Sequence, residues 1–113
     1  MTPPVDAYQA IRQAILERKQ IVATYESKRR EMCPHVIGTK DGRQQCLSYQ
    51  FAGESSHTIF PLSDPMAYRN WRCMEIAKLS NVQVRDGDWY SLSRHTRPQT
   101  CVDIVDVEVP GWE

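Results

Sequence analysis

No stretch of this chain is apolar for the roughly 20 residues that a membrane-crossing helix needs, so no such helix is expected. An excess of either charge is also missing: Lys+Arg and Asp+Glu both number 14, and the formal net charge is zero. That excludes a whole-protein attraction to nucleic acid and leaves only a local basic patch to supply one. The four cysteines form no CxxC pair and show none of the tight spacings of a zinc ribbon or finger. Three of them sit in apolar, strand-like runs, where a free thiol behaves as a small hydrophobe. The opening residues, Met1-Thr2-Pro3-Pro4-Val5-Asp6, have neither the positive start nor the apolar run of a secretory signal. A disulfide framework is therefore not expected, and the chain reads as cytoplasmic with reduced thiols. Internal repeats, low-complexity segments and a helix-turn-helix are lacking as well.

What is present suits one ordinary globular domain spanning 1–113, with 41% hydrophobic and 25% charged residues. The two charge signs are unevenly placed. Between Ile11 and Lys40 the chain carries Arg12, Arg18, Lys19, Lys28, Arg29, Arg30 and Lys40 against Glu17, Glu26 and Glu31. The last third compensates with Asp86, Asp88, Asp103, Asp106, Glu108 and Glu113. A dipolar surface follows if the fold keeps these segments apart; otherwise they are solvated charges.

Asp6 followed by Gln9 is a capping-box variant, and Tyr8, Ile11, Ala14, Ile15 and Arg18 recur at helical spacing. The expectation is a helix over 6–19, a strand core over about 20–85 and a C-terminal extension over 86–113. Ile21–Tyr25 alternates with β-branched residues and reads as a strand. Arg30–Ile37 follows, with Pro34 pointing to an edge or a bulge because it cannot donate to a ladder. Lys40-Asp41-Gly42 is a hairpin turn, and Gln45–Phe51 is the third strand of a meander. The residues from Gly53 to Tyr68, with Pro61 and Pro65, read as a long loop. Strands are expected again near Asn70–Ile76 and Asn81–Arg85, with a tight turn between. The final run, Cys101–Val109, slips phase between Ile104 and Val105, which suggests a bulge.

A helix feeding a strand that ends in tyrosine, then an arginine, a Pro-His pair and a glycine, runs here as Ala10–Glu17, Ile21–Tyr25, Arg30, Pro34-His35 and Gly38. With Leu47-Ser48-Tyr49-Gln50, Gly53, Ser55, Trp71-Arg72, Ile76 and Leu79, it resembles the WYL domain in its short stand-alone bacterial form. The likeness spans about two thirds of the chain. The Trp-Tyr-Leu triplet itself falls at Gln45-Cys46-Leu47, so only Leu47 remains, and Arg72 with Lys78 stands where the family carries an arginine series. The resemblance implies a mainly β (α+β) fold: a small SH3-like or Sm-like β-barrel preceded by an N-terminal helix, with a C-terminal strand extension. It implies a ligand-sensing, regulatory binding module rather than an enzyme, without a DNA-binding output domain of its own.

Tyr25, Arg30, His35, Tyr49, Arg72 and Lys78 are the expected ligand-binding residues. Arginine suits a phosphate because its planar fork donates two hydrogen bonds at once, and aromatic rings can stack on a base. A nucleotide, a single-stranded nucleic acid or another phosphate-bearing ligand is the expected partner. A partner protein carrying the output, a homodimer, and no membrane complete the expectation, with no cofactor and no metal. The competing readings are that Tyr25 and Tyr49 are core, that His35 is a hydrogen-bonded structural residue, and that Arg30 is a solvated turn charge. A non-catalytic adaptor using Trp71, Trp89 and Trp112 is the alternative function. A site built on Cys33 and His35 with His57 or His95 lacks fixed ligand spacing and an oxyanion motif.

Overall fold

The computed structural model describes residues 6–55, 58–91 and 99–109. One helix, α1 (Ala7–Glu17), precedes six strands: β1 (Gln20–Tyr25), β2 (Lys28–Lys40), β3 (Arg43–Gly53), β4 (Trp71–Glu75), β5 (Leu79–Arg85) and β6 (Ile104–Glu108). Asp6 caps α1 through its carboxylate, which accepts from the Tyr8 N–H at 2.9 Å. Arg18 ends the helix in the left-handed conformation. Ile11, Ala14 and Ile15 form its buried stripe and join a core supplied by Ile21, Met32, Val36, Ile37, Cys46 and Met74.

β2 organises the sheet. From Arg30 to Lys40 it pairs with β3, while its other edge is shared: Lys28–Met32 pairs with β1 and Val36–Thr39 with β6. The registers against β3 shift between Pro34 and Val36, so His35 lies in a bulge. That resolves the Pro34 alternative: the proline sits in a central strand at an irregularity, not on an edge. A second shift, between Ile37 and Gly38, sets the bulge of β6 at Asp106, two residues from the phase slip in the sequence. β6 approaches so closely that a Cβ on Gly38 would lie 2.0 Å from the Ile104 carbonyl oxygen.

The closed SH3-like or Sm-like barrel is not formed. The strands run β4-β3-β2-β1-β5, with β6 attached to β2, and among the described residues no ladder joins β4 to β5. The two strands are linked by a short 3-10 turn, Ile76–Lys78, yet they pair with β3 and β1 respectively and remain the two ends of an open sheet. The domain is mixed α+β: one N-terminal helix on a six-stranded sheet. The barrel terms that accompany the WYL resemblance fall with the closure.

The cysteine expectation also needs correction. Cys73 on β4 and Cys101 before β6 form a disulfide, with their Cα atoms 5.5 Å apart. Cys33 and Cys46 are free and buried. Sequence spacing is silent here because the bond joins two segments brought together by separate ladders. Among the described residues no helix is long and apolar enough to cross a membrane.

Candidate anion-binding cavity

Three of the six expected site residues meet. Tyr25 at the end of β1, Arg30 on β2 and Arg72 on β4 line a cavity of about 700 Å³, together with Glu26 and Trp71. The segment before β4 closes it with Thr58, Phe60 and Arg69. That segment contains a 3-10 turn, Ala67–Asn70, which begins inside the expected loop and runs to the residue where a strand was expected to start. Asn70, fully buried, holds it in place: its Oδ1 accepts from the Phe60 N–H at 2.8 Å. Its Nδ2 donates to the Phe60 carbonyl at 2.7 Å and to the Tyr49 hydroxyl at 3.2 Å.

The two strand arginines are unusual in being buried, Arg30 at 2% exposure and Arg72 at 7%. Arg72 donates through Nη1 to the Arg69 carbonyl at 2.5 Å and the Trp71 carbonyl at 3.3 Å, and through Nη2 to the Thr58 carbonyl at 3.5 Å. Arg30 lies over the Tyr25 ring, 5.2 Å from its centroid, and its Nη2 donates to Glu26 at 3.4 Å. In each guanidinium the Nε–H is buried with no hydrogen-bond partner among the described residues. Burial, and then the charge of Arg30, pull the Arg72 pKa down. Two buried cationic side chains thus repel each other across the cavity wall, which disfavours the charged form of Arg72.

The other expected site residues fall outside the lining. His35 is fully buried between Trp71 (ring centroids 4.6 Å apart, edge-on) and Trp89 (4.9 Å). Its Nδ1 is 2.8 Å from the Cys33 carbonyl and its Nε2 is 2.9 Å from the Ser91 hydroxyl. Burial lowers its pKa to about 4, so it is neutral at physiological pH. Tyr49 is fully buried, with its ring 5.1 Å from Trp71 and its hydroxyl donating to the Ala67 carbonyl at 3.2 Å. Lys78, in the 3-10 turn, is exposed and pairs with Glu75 at 3.4 Å. Cys33 is buried, and desolvation pushes its thiol up to about 11, far from a nucleophile's range. His57, His95 and Trp112 lie outside the described residues.

Sequence reasoning missed Glu26, Phe60, Arg69 and Asn70. The signal for the last two was adjacency: the Arg69-Asn70 pair directly precedes Trp71-Arg72. Glu26 and Phe60 carried none, since a glutamate in a polar turn and a phenylalanine in a loop are ordinary. Comparison of the chain with protein-family models, curated proteins and solved structures finds no match.

Proposed function

We propose that this domain is a non-catalytic binding module for a small phosphate-bearing ligand of about mononucleotide size, held in the cavity between β1, β2 and β4. The observation that carries the reading is the pair of buried guanidiniums, Arg30 and Arg72, each with an Nε–H that finds no partner among the described residues. An anion that accepts from both would satisfy the two donors and neutralise the repulsion between the charges. The lining supports the sign: three arginines face one glutamate. It also supports a flat group beside the anion, since Tyr25, Phe60 and Trp71 supply aromatic surface. A volume of about 700 Å³ lies within the range of small-molecule sites, and favours a nucleotide or similar molecule over a long single strand. Output then passes to a partner protein. The adaptor reading rests on a different element, β6, where Ile104 (72% exposed) and Val105 (41%) leave apolar side chains exposed on its two sides.

The test is calorimetric titration of the protein with a nucleoside monophosphate, inorganic pyrophosphate and the uncharged nucleoside. Saturable binding of the first two, weakening as salt rises and absent for the nucleoside, is the expected result. Failure of both anions at millimolar concentration and low salt refutes the reading.

A further inference from the structure

Glu26 is the one lining residue that opposes the proposed ligand, and its position is unusual. Tyr25 and Lys28 are the last pair of the β1–β2 ladder, so Glu26 and Ser27 alone make the turn. Both have positive φ, 53° and 62°. Such a turn favours asparagine and glycine; glutamate and serine adopt it at a penalty. The turn sets the Glu26 carboxylate at the cavity, 3.4 Å from Arg30 Nη2, with the glutamate side chain itself 60% exposed. Arg30 therefore has a weak, solvated partner on its outer nitrogen and an unpartnered donor on Nε.

We propose that Glu26 is a built-in competitor that selects the ligand's anion. This rests on the anion-site reading above and names its ligand class: a multiply charged phosphoryl group, not a monocarboxylate. A bound phosphoryl group displaces the carboxylate from Nη2 and takes Nη2 and Nε together in the two-pronged geometry of an arginine–phosphate pair. A monocarboxylate brings the same chemistry as Glu26 itself at a far lower effective concentration, so it does not displace the side chain. The residual repulsion from Glu26 is tolerated only by a ligand whose charge gains more from Arg30 and Arg72 than it loses.

The experiment titrates inorganic pyrophosphate and acetate into wild-type protein, E26Q and E17Q. Glu17 is an exposed acid at the end of α1, outside the lining, and controls for net charge. E26Q is expected to bind pyrophosphate about fivefold more tightly and to gain weak acetate binding, while E17Q matches the wild type. Wild-type binding of pyrophosphate with no gain in E26Q overturns the competitor role and leaves the anion site standing. An equal gain in E17Q overturns it too, since the effect is then one of overall charge. No pyrophosphate binding by wild type or E26Q overturns both the site and this inference.

Discussion

Replacing Arg30 with methionine is expected to stabilise the fold while removing the anion site. Arg30 is almost fully buried and its Nε–H finds no partner among the described residues, a situation that costs about 1–3 kcal/mol. Against that stand two modest gains. The ion pair to Glu26, whose side chain is 60% exposed, contributes less than about 1 kcal/mol. The stack on Tyr25 at 5.2 Å adds about 0.5–1 kcal/mol. Repulsion from Arg72 belongs with the costs. Methionine keeps most of the volume and restores apolar burial, so the balance favours the variant by about 1–2 kcal/mol, in line with other buried ions replaced by apolar isosteres. A domain of this size should then melt about 5 °C higher. Urea denaturation of both proteins with the disulfide intact measures the stability, and pyrophosphate titration measures the site. A loss of about 2 kcal/mol or more would refute the reasoning, because it would make Arg30 a structural residue and not a donor held ready for a ligand. Arg30→Ala is the wrong variant for this purpose, since the space it leaves has its own cost.

Reduction of the Cys73–Cys101 bond opens a loop of 28 residues' separation, and should lower stability by about 3–4 kcal/mol in urea titrations; Cys73→Ser should show the same loss and no further response to a reductant. His35 provides a pH dependence. Its folded pKa is depressed to about 4 against about 6.5 unfolded, so the unfolded state takes up the proton first. Its contribution is whole above about pH 6.5 and falls away as pH drops toward 4, by about 3 kcal/mol at most; His35→Gln should flatten that part of the stability profile.

The legible parts of this fold were those decided locally. Asp6 announced the helix start through its side chain, Asp41-Gly42 announced its turn, and the Ile21–Tyr25 alternation announced β1. β2 and β3 are longer than their apolar runs because ladder pairing carries polar residues such as Lys28, Arg29 and Arg43 into the strands. β5 likewise begins at Leu79, inside what the sequence offered as a turn, because Leu79 pairs with Tyr25. Closure of the sheet and the Cys73–Cys101 bond depend on which edges meet, and no local pattern reports that. The site followed the same rule. Tyr25, Arg30 and Arg72 stood out as a phosphate-suited set, though β3 separates β4 from β2 in the sheet, whereas Phe60 and Asn70 line or brace the cavity only because a hydrogen-bonded loop precedes β4. His35 lies outside the cavity lining, held between two tryptophans, and a buried histidine has the same sequence signature as an exposed one.

The shared edge of β2 divides labour along a single strand. Its first half carries Arg30 and pairs with β1, and its second half carries Gly38 and pairs with β6, with the His35 bulge between them. Each half answers to its own neighbours. The β6 end carries the Tyr8–Asp106–Arg12 cluster, and Cys101 just before it is bonded to Cys73, which lines the arginine cavity beside Arg72. The two ends are therefore buckled together: a redesign of β6 that keeps Cys101 leaves the staple to the cavity wall in place, and one that removes it frees the Cys73 thiol beside Arg72.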